Sequence, residues 1–122
     1  MTRLTFLAPP FGLADTDFEL AAVDGAPGLL ALRAASGDAR LYLLDASLHL
    51  PGYHPIVPRI DLDELGDPEP AVYVVVNPSA APTTVNLQAP IVVAADGRAR
   101  QTILDRGDWP LRAPLAEVLA AA

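Results

Sequence analysis

The sequence predicts an all-β fold: a small antiparallel barrel-like or sandwich domain with one or two short helical turns. Three observations lead there. Short apolar runs recur at close intervals along the whole chain. Thirteen prolines and eight glycines punctuate them, which favours strands and tight turns over long helices. Asp96-Gly97, lying between two such runs, is a strong hairpin signal.

Taken in order, Arg3–Leu7 and Phe18–Val23 are the first two strand segments. Gly28–Ala34 and Arg40–Asp45 follow as a hairpin, with Gly37 supplying positive φ in the turn. Asp61–Gly66 reads as a single helical turn. Asp61 stands at its N-cap, Glu64 three residues on, and Gly66 at its stop. Ala71–Val76 is nearly all apolar, so both its faces are expected to be buried. Thr83–Leu87, Ile91–Ala94 and Arg98–Leu104 complete the strands, the last two joined by a type I′ turn at Asp96-Gly97. Pro114–Ala121 is expected to form a terminal helix, with Leu115, Val118 and Leu119 as its apolar stripe.

The 122 residues, 52% hydrophobic and 19% charged, make one globular domain over 1–122 with enough chain for a real core. There is no cysteine, hence no disulfide and no thiolate metal site. All eight basic residues are Arg and the net charge is −7. The lack of Lys excludes Schiff-base chemistry and a phosphate-loop lysine, and the acidity argues against direct nucleic-acid binding. Pro9 and Pro10 interrupt the apolar start, and no small-residue cleavage site follows. No apolar run reaches the ~18 residues of a membrane span. A cytoplasmic, monomeric protein without a cofactor is expected.

Few residues suggest catalysis. His49 and His54, with Asp45, form the one arrangement that could hold a metal or support a small-molecule-binding or hydrolytic barrel. Two histidines do not specify a zinc site, so no metal is assigned. None of Ser36, Ser47 and Ser79 lies in a nucleophile elbow. Asp61, Asp63, Glu64, Asp67 and Glu69 crowd acids into a short segment with no base among them. Such a run is either a solvated face or an electrostatic docking face for a basic partner. In Pro82–Val93, period-2 alternation puts Val85, Leu87, Ala89 and Ile91 on one face and Thr84, Asn86 and Gln88 on the other. Pro90 cannot donate to a ladder, so the strand must bend, bulge or lie on an edge there. Asn86 either satisfies the backbone of a neighbouring loop or, with Thr84 and Gln88, meets a partner.

Thr84-Val85-Asn86-Leu87-Gln88-Ala89-Pro90-Ile91-Val92 resembles the T-x-N-L-x-A-P-I signature of the FliW family of flagellar assembly factors. Gln101–Leu104 resembles that family's Q-x-x-L strand, and Trp109–Leu115 its closing aromatic-x-x-R segment. Phe18–Leu20, Leu30–Leu32 and Leu48–Tyr53 are looser matches in the expected order. The resemblance implies a small β-barrel-like protein that is not an enzyme. It also implies two cytoplasmic partners, flagellin and the translational repressor CsrA, which exchange on the protein. Partner-contact residues are then expected among Thr84, Asn86, Gln88, Asp61, Asp63, Glu64 and Asp67. The alternatives are the His49/His54/Asp45 barrel, or a flagellin chaperone without a CsrA partner.

Overall fold

The computed structural model describes residues 2–37 and 39–121. Its strands are β1 (Thr2–Phe6), β2 (Asp17–Ala22), β3 (Leu29–Ala34), β4 (Arg40–Asp45), β5 (Ala71–Asn77), β6 (Thr84–Val93), β7 (Arg98–Gln101) and β8 (Ala113–Pro114). Three short helices are α1 (Ala46–His49), α2 (Arg59–Leu65) and α3 (Leu115–Ala121), and a 3-10 turn spans Pro10–Gly12.

Each strand from β1 to β7 pairs with its neighbour in sequence, and β7 returns to β1, closing a barrel of seven strands. Each of these sequential pairings is antiparallel. With an odd number of strands, the first and last then run the same way. The closing β1–β7 contact is indeed parallel, through Thr5↔Arg98 and Phe6↔Ala99. β8 lies outside the ring, paired to the start of β6 at Thr84↔Pro114 and Val85↔Ala113.

The barrel is filled by Leu4, Phe6, Phe18, Leu20, Leu32, Leu43, Ile91 and Ala99, all buried. Phe6 and Phe18 meet edge to face, with ring centroids 5.3 Å apart. A second apolar cluster lies outside the barrel wall, made by Leu44, Val74, Val76, Val85 and Leu87 under Leu50 and Ala113. β5 therefore serves two cores. Val74 and Val76 face the outer cluster, while Tyr73 and Val75 pack against the barrel interior, as its unbroken apolar composition predicts.

β6 differs from expectation in an informative way. The two segments predicted on either side of Pro90 form one strand. Its register against β5 jumps from Val75↔Asn86 to Tyr73↔Ile91, so β6 carries extra residues between them. The bulge reverses the faces. Val85 and Leu87 face the outer cluster, but Ile91 enters the barrel. The expected single face of Val85, Leu87, Ala89 and Ile91 is thus broken at Pro90.

Other turns also depart from prediction. Gly37 does not adopt positive φ. Gly97 does, at 93°, but Asp96 does not, so the β6–β7 connection is not type I′. Gly97 N–H donates to Ala94 O at 3.0 Å, and the glycine closes the loop as a bulge. A side chain there would strike the Arg3 carbonyl of β1. α1, capped by Asp45, and β8 have no counterpart in the prediction. The last helix begins at Leu115, because Pro114 belongs to β8. Leu115 and Val118 pack onto the outer cluster, whereas Leu119 is 44% exposed.

α2 starts at Arg59 with Pro58 at its N-cap, so Asp61 is inside the helix rather than capping it. Gly66 ends the helix in the left-handed region, as expected. Leu65 buries against Val92 and Ala94 on the outer barrel wall. Beside it, Asp61 Oδ1 accepts from Arg100 Nε at 2.8 Å and Oδ2 accepts from Thr102 Oγ1 at 2.6 Å. Arg100 Nη1 reaches Glu64 Oε2 at 2.9 Å. Asp61 is 8% and Thr102 1% exposed, so these are charge-assisted bonds shielded from water. Asp61→Asn should destabilise the protein by about 2 kcal/mol, because Arg100 and Thr102 lose a charged acceptor. Asp63→Asn, at an exposed position without such bonds, should change stability by less than about 0.5 kcal/mol. Urea midpoints of the two variants check the contrast.

Candidate partner-binding surface

The bulge in β6 opens the backbone, and its groups are satisfied by other parts of the chain. Asn86 Oδ1 accepts from both Gln88 N–H and Ala89 N–H at 3.0 Å. Leu87 N–H donates to Pro110 O at 3.1 Å. Leu87 O accepts from the Tyr53 hydroxyl at 2.6 Å. On the far side, Leu104 N–H donates to Gln88 O and Thr102 N–H to Pro90 O. The segment leading out of β7 thereby continues as an irregular edge along the bulge. Tethering two distant segments, Tyr53 and Pro110, to one residue draws both over the outer cluster.

Between them lies an apolar groove of about 270 Å³, lined by Leu50, Gly52, Tyr53, Leu87, Trp109, Ala113, Pro114, Glu117 and Val118. Tyr53 and Trp109 meet at right angles, with centroids 4.8 Å apart and planes at 85°. β8 brings Ala113 and Pro114 to the groove, and Leu115 N–H donates to Thr83 O at 2.9 Å, setting the course of α3. Burial raises the Tyr53 pKa well above its ordinary 10.0, so this hydroxyl remains a neutral donor.

Thr84, Asn86 and Gln88 alternate with the buried Val85 and Leu87 and are half-buried. Asn86 stands opposite Val75, and its carboxamide oxygen is engaged within its own strand, not with a neighbouring loop. The acids do not form one face. Asp61 is drawn inward and Glu64 pairs with Arg100. Asp67 accepts from Glu69 N–H at 3.0 Å and from Ala95 N–H at 3.1 Å, fastening the end of α2 to the β6–β7 loop. Asp63 alone of the four is exposed without such a bond among the described residues.

The histidines are not assembled into a site. His49 Nε2 lies 2.6 Å from Pro27 O, and its ring packs where a side chain on Gly28 would stand. Asp45 Oδ1 accepts from Ser47 N–H and Oγ, capping α1. Among the described residues, no three His, Cys, Asp or Glu side chains are grouped to hold a metal ion. No helix among them is long and apolar enough to cross a membrane.

The FliW protein family model matches residues 2–115, nearly the entire chain. The chain belongs to the FliW family. The crystal structure of a flagellar assembly factor, FliW, superposes with a TM-score of 0.80 at 24% identity, covering 93% of this chain and 84% of that one, which shows the shared fold. No curated protein matches the chain. The segment resembling the FliW signature, Thr84–Val92, is the bulged part of β6. Its Asn supplies the acceptor the bulge needs and its Pro ends the regular ladder. The groove's aromatic corner was not assigned from sequence. Tyr53 and Trp109 are far apart in the chain, and the available signal was two aromatics isolated among Pro and Gly.

Asn86→Ala should destabilise FliW-fold packing here by about 1–2 kcal/mol, since two backbone donors lose their acceptor. Thr84→Ala, outside this bonding, should stay within about 0.5 kcal/mol. Denaturant midpoints decide. A pH effect follows from Tyr53. Its folded pKa lies above the unfolded value of 10.0, so the folded state holds this proton more tightly. That stabilisation is complete below about pH 10 and declines above it, as the unfolded chain alone ionises. Tyr53→Phe should flatten the alkaline decline in stability, leaving a smaller slope from Tyr73, whose pKa burial also raises.

Proposed function

We propose that this protein is a cytoplasmic flagellar assembly factor, a non-enzymatic binder that exchanges flagellin for CsrA. While flagellin is present it occupies the protein. Once flagellin is exported, the free protein sequesters CsrA and relieves repression of flagellin translation. Membership of the FliW family over residues 2–115 carries this reading. Two features support it. The net charge of −7, with no Lys, suits docking of a basic repressor. The acidic segment packs beside the end of β6 at Val92 and Ala94, and Thr84 and Gln88 stand half-buried near its start.

The contact set proposed from sequence narrows in emphasis. Asp63, exposed and without an internal bond among the described residues, leads the electrostatic contribution, with Glu64 and Asp67 partly engaged within the fold. Thr84 and Gln88 are the contacts proposed on β6. Asn86 and Asp61 contribute by shaping the surfaces on which the others stand.

Mixing the protein with purified flagellin and with purified CsrA should give co-eluting complexes, and added flagellin should release CsrA. Absence of both complexes defeats the proposal. CsrA association should slow several-fold as ionic strength rises past physiological values, where screening shortens charge reach to ~8 Å. Asp63→Asn should lower the association rate more than it raises the dissociation rate. A rate insensitive to salt would make the acidic segment a solvated face.

A further inference from the structure

We infer that the groove between the Tyr53–Trp109 corner and α3 takes a protein segment that inserts one basic side chain flanked by apolar ones. This rests on the partner-binding role proposed above and names the chemistry that would be recognised there. The groove's size sets the first limit. At about 270 Å³ it falls just below typical ligand sites of roughly 300–1,000 Å³. It suits a long side chain and its immediate neighbours. Its walls are apolar, with Leu50, Leu87 and Val118 available to an aliphatic stem.

The polar chemistry selects a cation. Tyr53 and Trp109 both line the groove, and aromatic faces attract guanidinium or ammonium groups. Tyr53 gives only its ring, because its hydroxyl is bonded to Leu87 O. Among the described residues Glu117 is the one carboxylate of the lining, and it forms no ion pair with any of them. An anionic occupant would meet both Glu117 and the net charge of −7. A neutral apolar occupant would leave the exposed Glu117 carboxylate without a partner. A basic side chain satisfies the carboxylate and the aromatic corner together. None of the chain's own arginines lines the groove, so the cation comes from the partner.

Trp109 is the sole tryptophan, so its fluorescence reports on the groove directly. The probe is acetyl-leucyl-arginyl-leucinamide, with the analogue carrying norleucine in place of arginine as its neutral control. The arginine peptide should shift Trp109 emission saturably and bind at least about tenfold more tightly than the control. Glu117→Gln, on an exposed helical position, should reduce the preference for the arginine peptide while leaving the denaturant midpoint unchanged. Equal affinities for wild type, no saturable shift, or an undiminished preference in Glu117→Gln overturns the inference. Co-elution of wild type with flagellin or CsrA is scored separately. Its failure removes the flagellar role, whereas the peptide titration alone decides the groove.

Discussion

At Pro90 the β6 ladder loses an amide donor, and the strand cannot continue in register with β5. Most of the architecture is arranged around this interruption. Before it, β6 turns Val85 and Leu87 to the outer cluster; after it, the strand turns Ile91 into the barrel. One strand thereby joins two cores that a regular strand would keep on opposite faces throughout. The unpaired backbone is met by Asn86, Tyr53, Pro110 and Leu104. Those contacts bring two loops over the outer wall, and the groove is the space left between them.

The acidic segment shows how composition and surface charge diverge. Five acids within nine residues suggested a uniform negative face. The fold draws Asp61 into contact with Arg100 and Thr102, and uses Glu64 and Asp67 to hold α2 and the following turn against the barrel. Burial of Asp61 is tolerable because both its oxygens accept hydrogen bonds. The outward field is accordingly weaker than the raw count implies and rests chiefly on the exposed Asp63 and Glu69.

The strands were legible because alternation and turn residues are local signals. β2, β3, β4 and β5 lie within a residue or so of their predicted limits. The β6 bulge was legible only as a constraint at Pro90; the direction of the face reversal depends on β5. α1 was missed because its four residues show no helical period, and its cap, Asp45, served as a candidate ligand instead. Asp61 looked like an N-cap since its partners, Arg100 on β7 and Thr102 just beyond it, lie some forty residues away. The groove was illegible for the same reason. Leu50, Tyr53, Leu87, Trp109 and Val118 come from four separate segments, made neighbours by the tethers at Leu87 and by the pairing of β8 with the start of β6.

Closure of the ring has a consequence for how the chain acquires its shape. β1 through β4 can zip together as successive hairpins while synthesis proceeds, since each pairs with the strand just before it. β1 must then wait with one edge open, because its second partner is Arg98–Ala99 near the other end of the chain. That late, two-pair parallel seam is an entropically demanding step. Until it forms, the newborn protein presents an unpaired strand edge beside an unfilled apolar interior, the arrangement most prone to joining another copy. The ring is sealed last, by its shortest seam.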